Sequence, residues 1–234
     1  MKTALLVMTL NEIDGMKVIM PKIKKEWLHE IVFVDGNSTD GTIEYIKSKG
    51  YRLFLEDGKG VKKTMVDALN NIESDVIITF SPDGNCVPEI IPDLIAEIKK
   101  GYDMVIASRY LKHARSYDDN VVTAFGNWMF TNLVNLLYSA NYTDVMNMYR
   151  IYKKSLVFDL DLDKESTYAT PERIFKTKIG WEPILSIRAA KRKLKIQEIP
   201  GDEPARIGGK AKLQVIKWGS AYLFQVLREL FFWK

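Results

Sequence analysis

The stretch DVIITFSPDGN, residues 75–85, decides how this chain is read. Val76, Ile77, Ile78, Thr79 and Phe80 form an unbroken apolar and β-branched run, the composition of a strand covered on both faces in a parallel sheet. The run ends abruptly. Ser81, Pro82, Asp83, Gly84 and Asn85 cannot continue a central strand, and they set a carboxylate and an amide just beyond its C-terminal end, where open α/β sheets bind ligands.

A carboxylate, an amide oxygen and a hydroxyl are hard oxygen ligands of the kind Mg²⁺ or Mn²⁺ accepts, usually together with substrate phosphates. Asp83 and Asn85 are therefore candidate metal ligands, with Ser81 beside them. Pro-Asp-Gly is also a common turn tripeptide, and a plain turn is the competing reading.

Working toward the N-terminus, residues 3–10 read as a first strand followed by Asn11-Glu12, and residues 14–25 as a helix bent at Pro21. Residues 31–34 are a second strand, emptying into DGNSTDGT with Asp40 as N-cap of a helix that runs to Lys49. Residues 51–55 are a third strand, Lys59-Gly60 a turn, and 61–71 a helix. Toward the C-terminus, 88–100 is a helix and 103–107 a strand delivering Ser108-Arg109-Tyr110. This alternation predicts a parallel, doubly wound sheet with its loops on one edge.

Beyond Tyr110 the pattern changes. Residues 112–120 are a polar loop, 121–138 a long apolar helix, 144–152 a strand, 170–179 and 183–191 helices, and 195–199 a strand leading into a basic loop over 206–212. Residues 213–234 are helical in period and rich in aromatics, but Lys217, Gln225, Arg228 and Glu229 interrupt them, so they are not expected to span a bilayer. They are expected either to lie at a membrane interface or to pack on their own domain or a second subunit, as in a homodimer.

At 234 residues with 47% hydrophobic and 27% charged content, one sizeable α/β domain with an appendage is expected. A net charge of +4 suits anionic small molecules or a membrane surface, and no basic patch points to nucleic acid. The single cysteine, Cys86, excludes an internal disulfide, and the cytoplasm is the expected compartment.

Asn11-Glu12, VDGNSTDGT and SPDGN together resemble the nucleotide-sugar half of the family 2 glycosyltransferases, with their YNE-type turn, VDDGSTDGT and DxD metal motif. SRY at residues 108–110, DVMNMYR at 144–150 and RIGGKAK at 206–212 resemble segments of dolichyl-phosphate mannose synthases and related polyprenyl-phosphate glycosyltransferases. The resemblance implies a GT-A fold, a mostly parallel sheet flanked by helices. Residues 1–110 would form the nucleotide-sugar half, 111–212 the acceptor half and 213–234 a C-terminal amphipathic helix.

The resemblance also implies roles. A nucleoside-diphosphate sugar would be the donor and a polyprenyl phosphate or a glycan hydroxyl the acceptor, at the inner face of the membrane, with inversion at the anomeric carbon; a nucleotidyltransferase, which should carry a glycine-rich basic turn that residues 8–12 lack, and a non-catalytic nucleotide-sugar binding module are the alternatives. Asp83 and Asn85 would hold the divalent ion. Met8, Thr9 and Leu10 would wall the base, with Asn11 beside them, Glu12 would accept from ribose hydroxyls, and Asp35 would read base or ribose. Lys59 and Ser81 would lie along the donor, Arg109 would clamp phosphate, and Arg206 and Lys212 would sit on a lid over the diphosphate. Ser81 replaces the first metal-motif aspartate, leaving the ion fewer charged ligands. A lipid phosphate needs no general base; a hydroxyl acceptor does, and Asp118, Asp119, Asp144 and Glu182 are the candidates. Asp144 is also a candidate ion-pair partner of Arg150.

Overall fold

The computed structural model describes residues 1–208 and 215–233. Its strands are β1 (Thr3–Thr9), β2 (Glu30–Asp35), β3 (Arg52–Leu55), β4 (Val76–Phe80), β5 (Met104–Ser108), β6 (Arg150–Lys153) and β7 (Ile196–Pro200). Among the described residues these make one seven-stranded sheet in the order β3-β2-β1-β4-β6-β5-β7. Every pairing is parallel except those of β6, which runs antiparallel between β4 and β5.

That inserted strand is the antiparallel exception in a mostly parallel sheet, and it places β5, with Arg109 at its end, two positions from β4. It also starts later than its pattern suggested. Asp144 Oδ1 accepts from the Met146 and Asn147 amides, and Asn147 Oδ1 from that of Tyr149, so the side chains hold residues 144–149 as a loop at the rim. Pairing begins at Arg150.

Two of the helices, α3 (Val61–Asn71) and α5 (Val121–Tyr138), span the residues their periodicity indicated. Asn120 caps α5 by accepting from the Val122 and Thr123 amides, with Thr123 answering in a capping box. Others are shorter. Helix α1 (Ile13–Ile19) gives way to a 3₁₀ turn over Met20–Lys22 containing Pro21. Helix α2 (Thr42–Ser48) starts after Gly41, whose φ is +99°, and Asp40 Oδ1 accepts from the Thr42 amide, so Asp40 caps one position further out than expected. A 3₁₀ turn over Pro88–Ile90 leads into α4 (Ile91–Ile98). The short α6 (Leu156–Asp159), α7 (Ala169–Phe175), α8 (Glu182–Lys191) and α9 (Val215–Phe232) complete the chain.

The helices pack in layers on the two faces of the sheet. One core joins α1, α2 and α4 to Leu5, Val7, Phe33, Ile78 and Val105. The other joins α3, α5, α8 and α9 to Leu6, Val32, Ile77 and Ile106. Full burial of both sheet faces explains why the central strands read as continuous apolar runs instead of alternating ones.

Candidate active site

Strands β1, β2, β4 and β5 all end at one rim, and β6 begins there. The loops beyond them interlock. Asp35, fully buried at the end of β2, accepts on Oδ2 from the hydroxyls of Thr9 (2.6 Å) and Ser38 (2.7 Å), and on Oδ1 from the Ser38 amide (2.7 Å). Asn11, with φ +57°, donates its amide to Ser38 Oγ and accepts from the Thr39 amide, which binds the first loop to the second. Thr42 Oγ1 accepts from the Glu12 amide, and Asp40 Oδ2 from that of Ile13.

The third loop is held as closely. A Cβ on Gly15 would fall on the carbonyl oxygen of Pro82, so α1 begins flush against the SPDG turn. Asn85 donates its amide to Asp83 Oδ1 at 3.1 Å. Residues 201–208, leaving β7, then fold back across it: the Ile207 amide donates to the Asp83 carbonyl at 2.6 Å, and Arg206 Nη1 lies 2.6 Å from Asp83 Oδ2. Gly208 ends this crossing beside Asp14 of α1. Glu12, Asp35, Asp83 and Arg206 thus occupy one rim.

The remaining residues expected there are found as follows. Met8 is half-buried against the α3 side, Leu10 lies partly exposed beside Gly36, and Lys59 is exposed with its ammonium on Asp57 at the outer edge. Ser81 is half-buried at the start of the turn. Lys212 lies outside the described residues.

Arg109 is buried and already bound. Its Nε and Nη2 make a fork with Asp144 at 2.7 and 2.9 Å, while Nη1 reaches Glu203 at 3.3 Å. The anticipated Asp144–Arg150 pair is therefore replaced by Asp144–Arg109. Arg150, fully buried, donates instead to the carbonyls of Asn147, Val145 and Glu182 and to the Ser186 hydroxyl, joining β6 to α8. Asp119 accepts from the Tyr110 hydroxyl and from Asn127.

Glu203 was not singled out by the sequence; it stands three residues before Arg206, just ahead of the basic loop. It accepts from Arg109, Asn85 and the Ser116 hydroxyl, so it connects both arginines' surroundings. Asp118 likewise accepts from Asn85 (2.9 Å) and lies 3.6 Å from Arg206 Nη2.

Two orphaned atoms matter here. With its amide nitrogen turned to Asp118 and Glu203, Asn85 leaves Oδ1 buried without a hydrogen-bond partner, and Arg206 Nε is orphaned in the same way. An unsatisfied amide oxygen two residues from a carboxylate is a donor set that suits a hard divalent ion.

Beside this cluster opens a cavity of about 550 Å³. Asn85, Arg109, Asp118 and Arg206 form its polar end; Val122, Gly126 and Phe130 of α5 and Trp218, Gly219 and Tyr222 of α9 form apolar walls. Glu182 lines it too. Burial pushes the Glu182 carboxyl above the ordinary glutamate range, partly offset by its own backbone amide and the charges of Arg150 and Lys62.

The profile of glycosyl transferase family 2 matches residues 7–160. The chain is 26% identical over 220 residues to a dolichyl-phosphate hexose transferase of Haloferax volcanii, covering 93% of this chain and 89% of that protein. It is 23% identical to an undecaprenyl-phosphate mannosyltransferase of Micrococcus luteus, covering 97% and 98%. Its fold superposes with a TM-score of 0.69 on glucosyl-3-phosphoglycerate synthase of Mycobacterium tuberculosis, solved with Mn²⁺, UDP and phosphoglyceric acid, at 15% identity and covering 98% of this chain and 78% of that one. With its GT-A sheet, its interlocked rim loops and a family profile over most of its length, this chain belongs to glycosyl transferase family 2 and is a glycosyltransferase related to the polyprenyl-phosphate sugar transferases.

Proposed function

We propose that this glycosyltransferase moves a sugar from a nucleoside-diphosphate donor to a polyprenyl phosphate, with the donor across the β1–β2–β4 rim and the acceptor in the cavity between α5 and α9. The observation that carries this reading is the meeting of Asp83, Asn85 and Arg206 at the polar end of a cavity whose other walls are apolar. A ligand with an ionised head and a hydrocarbon body matches that division.

Asp83 and the orphaned Oδ1 of Asn85 are the residues that would hold Mg²⁺ or Mn²⁺, and such an ion supplies charge neutralisation for a leaving diphosphate. The chain's own part is electrostatic and positional. As the bond from the anomeric carbon to the diphosphate oxygen breaks, its electron pair leaves with the diphosphate, and a phosphate oxygen of the acceptor forms the new bond. No proton moves. Arg206, now on Asp83, is placed to turn its guanidinium to the diphosphate, while Arg109 is held in place at the polar end by Asp144 and Glu203. Asp35, Asn11 and Ser38 hold the rim rigid so that base and ribose meet a preformed surface.

Glu182 supports a second reading, transfer to a saccharide hydroxyl. A buried carboxyl with a raised pKa, facing the cavity, is suited to take a proton from an alcohol. Assaying the purified protein with Mn²⁺ and a panel of nucleoside-diphosphate sugars against polyprenyl phosphate and against free glycans separates the two. Product on the lipid phosphate with Glu182→Gln within tenfold of the native rate supports the first; a loss of about 10²–10⁴ on a glycan acceptor supports the second. No donor turnover or hydrolysis with either would overturn both.

A further inference from the structure

Helix α5 carries no charged residue along its 18 positions, yet much of it faces outward. Val121, Val122, Phe125, Trp128 and Leu136 are each 60–87% exposed. Val121, Phe125, Trp128, Asn132 and Leu136 fall on a single stripe of the helix, and only Asn132 is polar. The adjoining flank, Val122, Thr123, Gly126 and Phe130, lines the cavity. Phe125 and Trp128 stand with ring centroids 5.8 Å apart, a broad aromatic patch in the middle of this face.

An apolar stripe of this extent marks a contact surface. We propose that the outer face of α5 docks on a lipid bilayer, lying in the interface plane so that the cavity mouth opens into the membrane surface. Three observations favour a bilayer over a second copy of this chain. The stripe runs directly into the cavity wall, so a flat protein partner would bridge an open mouth, whereas acyl chains fill it. Trp128 is amphipathic and suited to headgroup depth. Lys112 and Arg115, exposed on the loop entering α5, offer charge complementarity to anionic headgroups, while the neighbouring Asp118 and Asp119 are turned to Arg206, Asn85, Tyr110 and Asn127.

This assignment differs from one that anchors the chain by residues 213–234 alone. The inner face of α9 is committed to the protein, burying Tyr222, Gln225, Val226 and Glu229, while Val215 and Trp218 at its start line the cavity. The inference gives direction to the lipid-phosphate reading and does not need it, because binding is measured without donor.

The test is co-sedimentation of the full chain with phosphatidylcholine vesicles with and without phosphatidylglycerol. Wild type is expected to bind, more tightly when anionic lipid is present. Phe125→Glu with Trp128→Glu lowers partitioning by roughly tenfold or more, whereas Val18→Glu, at an exposed position of α1 on the opposite sheet face, leaves it unchanged. Quenching of wild-type tryptophan emission by brominated lipid gives a readout that requires no variant. Failure of wild type to bind vesicles or to be quenched overturns the proposal. So does a double variant that binds vesicles normally while converting a dimer to a monomer in sedimentation, since a second copy would then cover the face. Thermal shift with nucleoside diphosphate and Mn²⁺, run on the same preparations, reads the donor site separately: its loss would count against the transferase reading and not against α5 docking.

Discussion

Asp83 is bound on every side: its carboxylate takes Arg206 and the Asn85 amide, and its carbonyl takes the Ile207 amide. On the proposed reading, a cation arriving at Oδ2 would displace the Arg206 guanidinium. Asp83→Ala is expected to abolish Mn²⁺-dependent nucleoside diphosphate binding by thermal shift or calorimetry, with the far-ultraviolet circular dichroism unchanged; undiminished affinity would remove Asp83 from the site. Glu182 gives a pH prediction. Its folded-state pKa is raised, so the native state favours the protonated form, and that contribution to stability is full below the ordinary glutamate value and lost as pH rises toward the folded value. Glu182→Gln is expected to melt higher than wild type at neutral pH, with the gap closing in acid. A gap that widens in acid would refute the burial argument. Gly15 is fixed by sterics alone: Gly15→Ala forces α1 away from the Pro82 carbonyl and is expected to cost about 1–3 kcal/mol in chemical denaturation.

At the scale of elements, α9 is the instructive case. Its aromatic content left a membrane-interface anchor and packing on its own domain both open, and its inner face buries Tyr222, Gln225, Val226 and Glu229. Glu229 accepts from Arg188 of α8 at 2.8 and 2.9 Å, with both side chains buried, and Arg188 also stacks on Trp233. Removing one member of such a pair leaves an uncompensated buried charge. Glu229→Ala is expected to lower stability by about 3–5 kcal/mol, a drop of roughly 10 °C in Tm, whereas Arg188→Met with Glu229→Met recovers most of it. Equal loss in the single and double variants would show that packing, not charge, sets the cost. Helix α5 is the converse: buried on Phe130, Val134 and Tyr138, apolar on its outer stripe as well, and so the element whose exposed side demands a partner.

Taken as a whole molecule, the chain is one mixed sheet with a helical layer on each face, and α9 is part of one core. Deleting residues from Val215 onward removes the partners of Tyr138, Gly180 and Arg188. The truncated protein is expected to lose cooperative thermal unfolding and to aggregate; a soluble, cooperatively folded truncation that merely loses vesicle binding would overturn the packing role assigned to α9.

What the sequence determined by itself was the local chemistry of strands and turns. Largely apolar runs, each stopped by Gly, Pro, Asn or Asp, specified β1, β2 and β4, and with them the rim that carries Asn11, Asp35 and Asp83. The extents of α3 and α5 were legible for the same reason: the signals lie within a few residues of what they control. Partner choice was not legible, because it depends on pairs far apart in the chain. That Arg109 takes Asp144 while Arg150 takes carbonyls, that Glu203 enters the cluster, and that Arg206 lies on Asp83, 123 positions away, follow from β6 running antiparallel between β4 and β5 and from the loop after β7 crossing the rim. Only the assembled sheet brings those charges within hydrogen-bond reach, and for the buried Arg109–Asp144 pair the loss of either partner would leave an uncompensated charge.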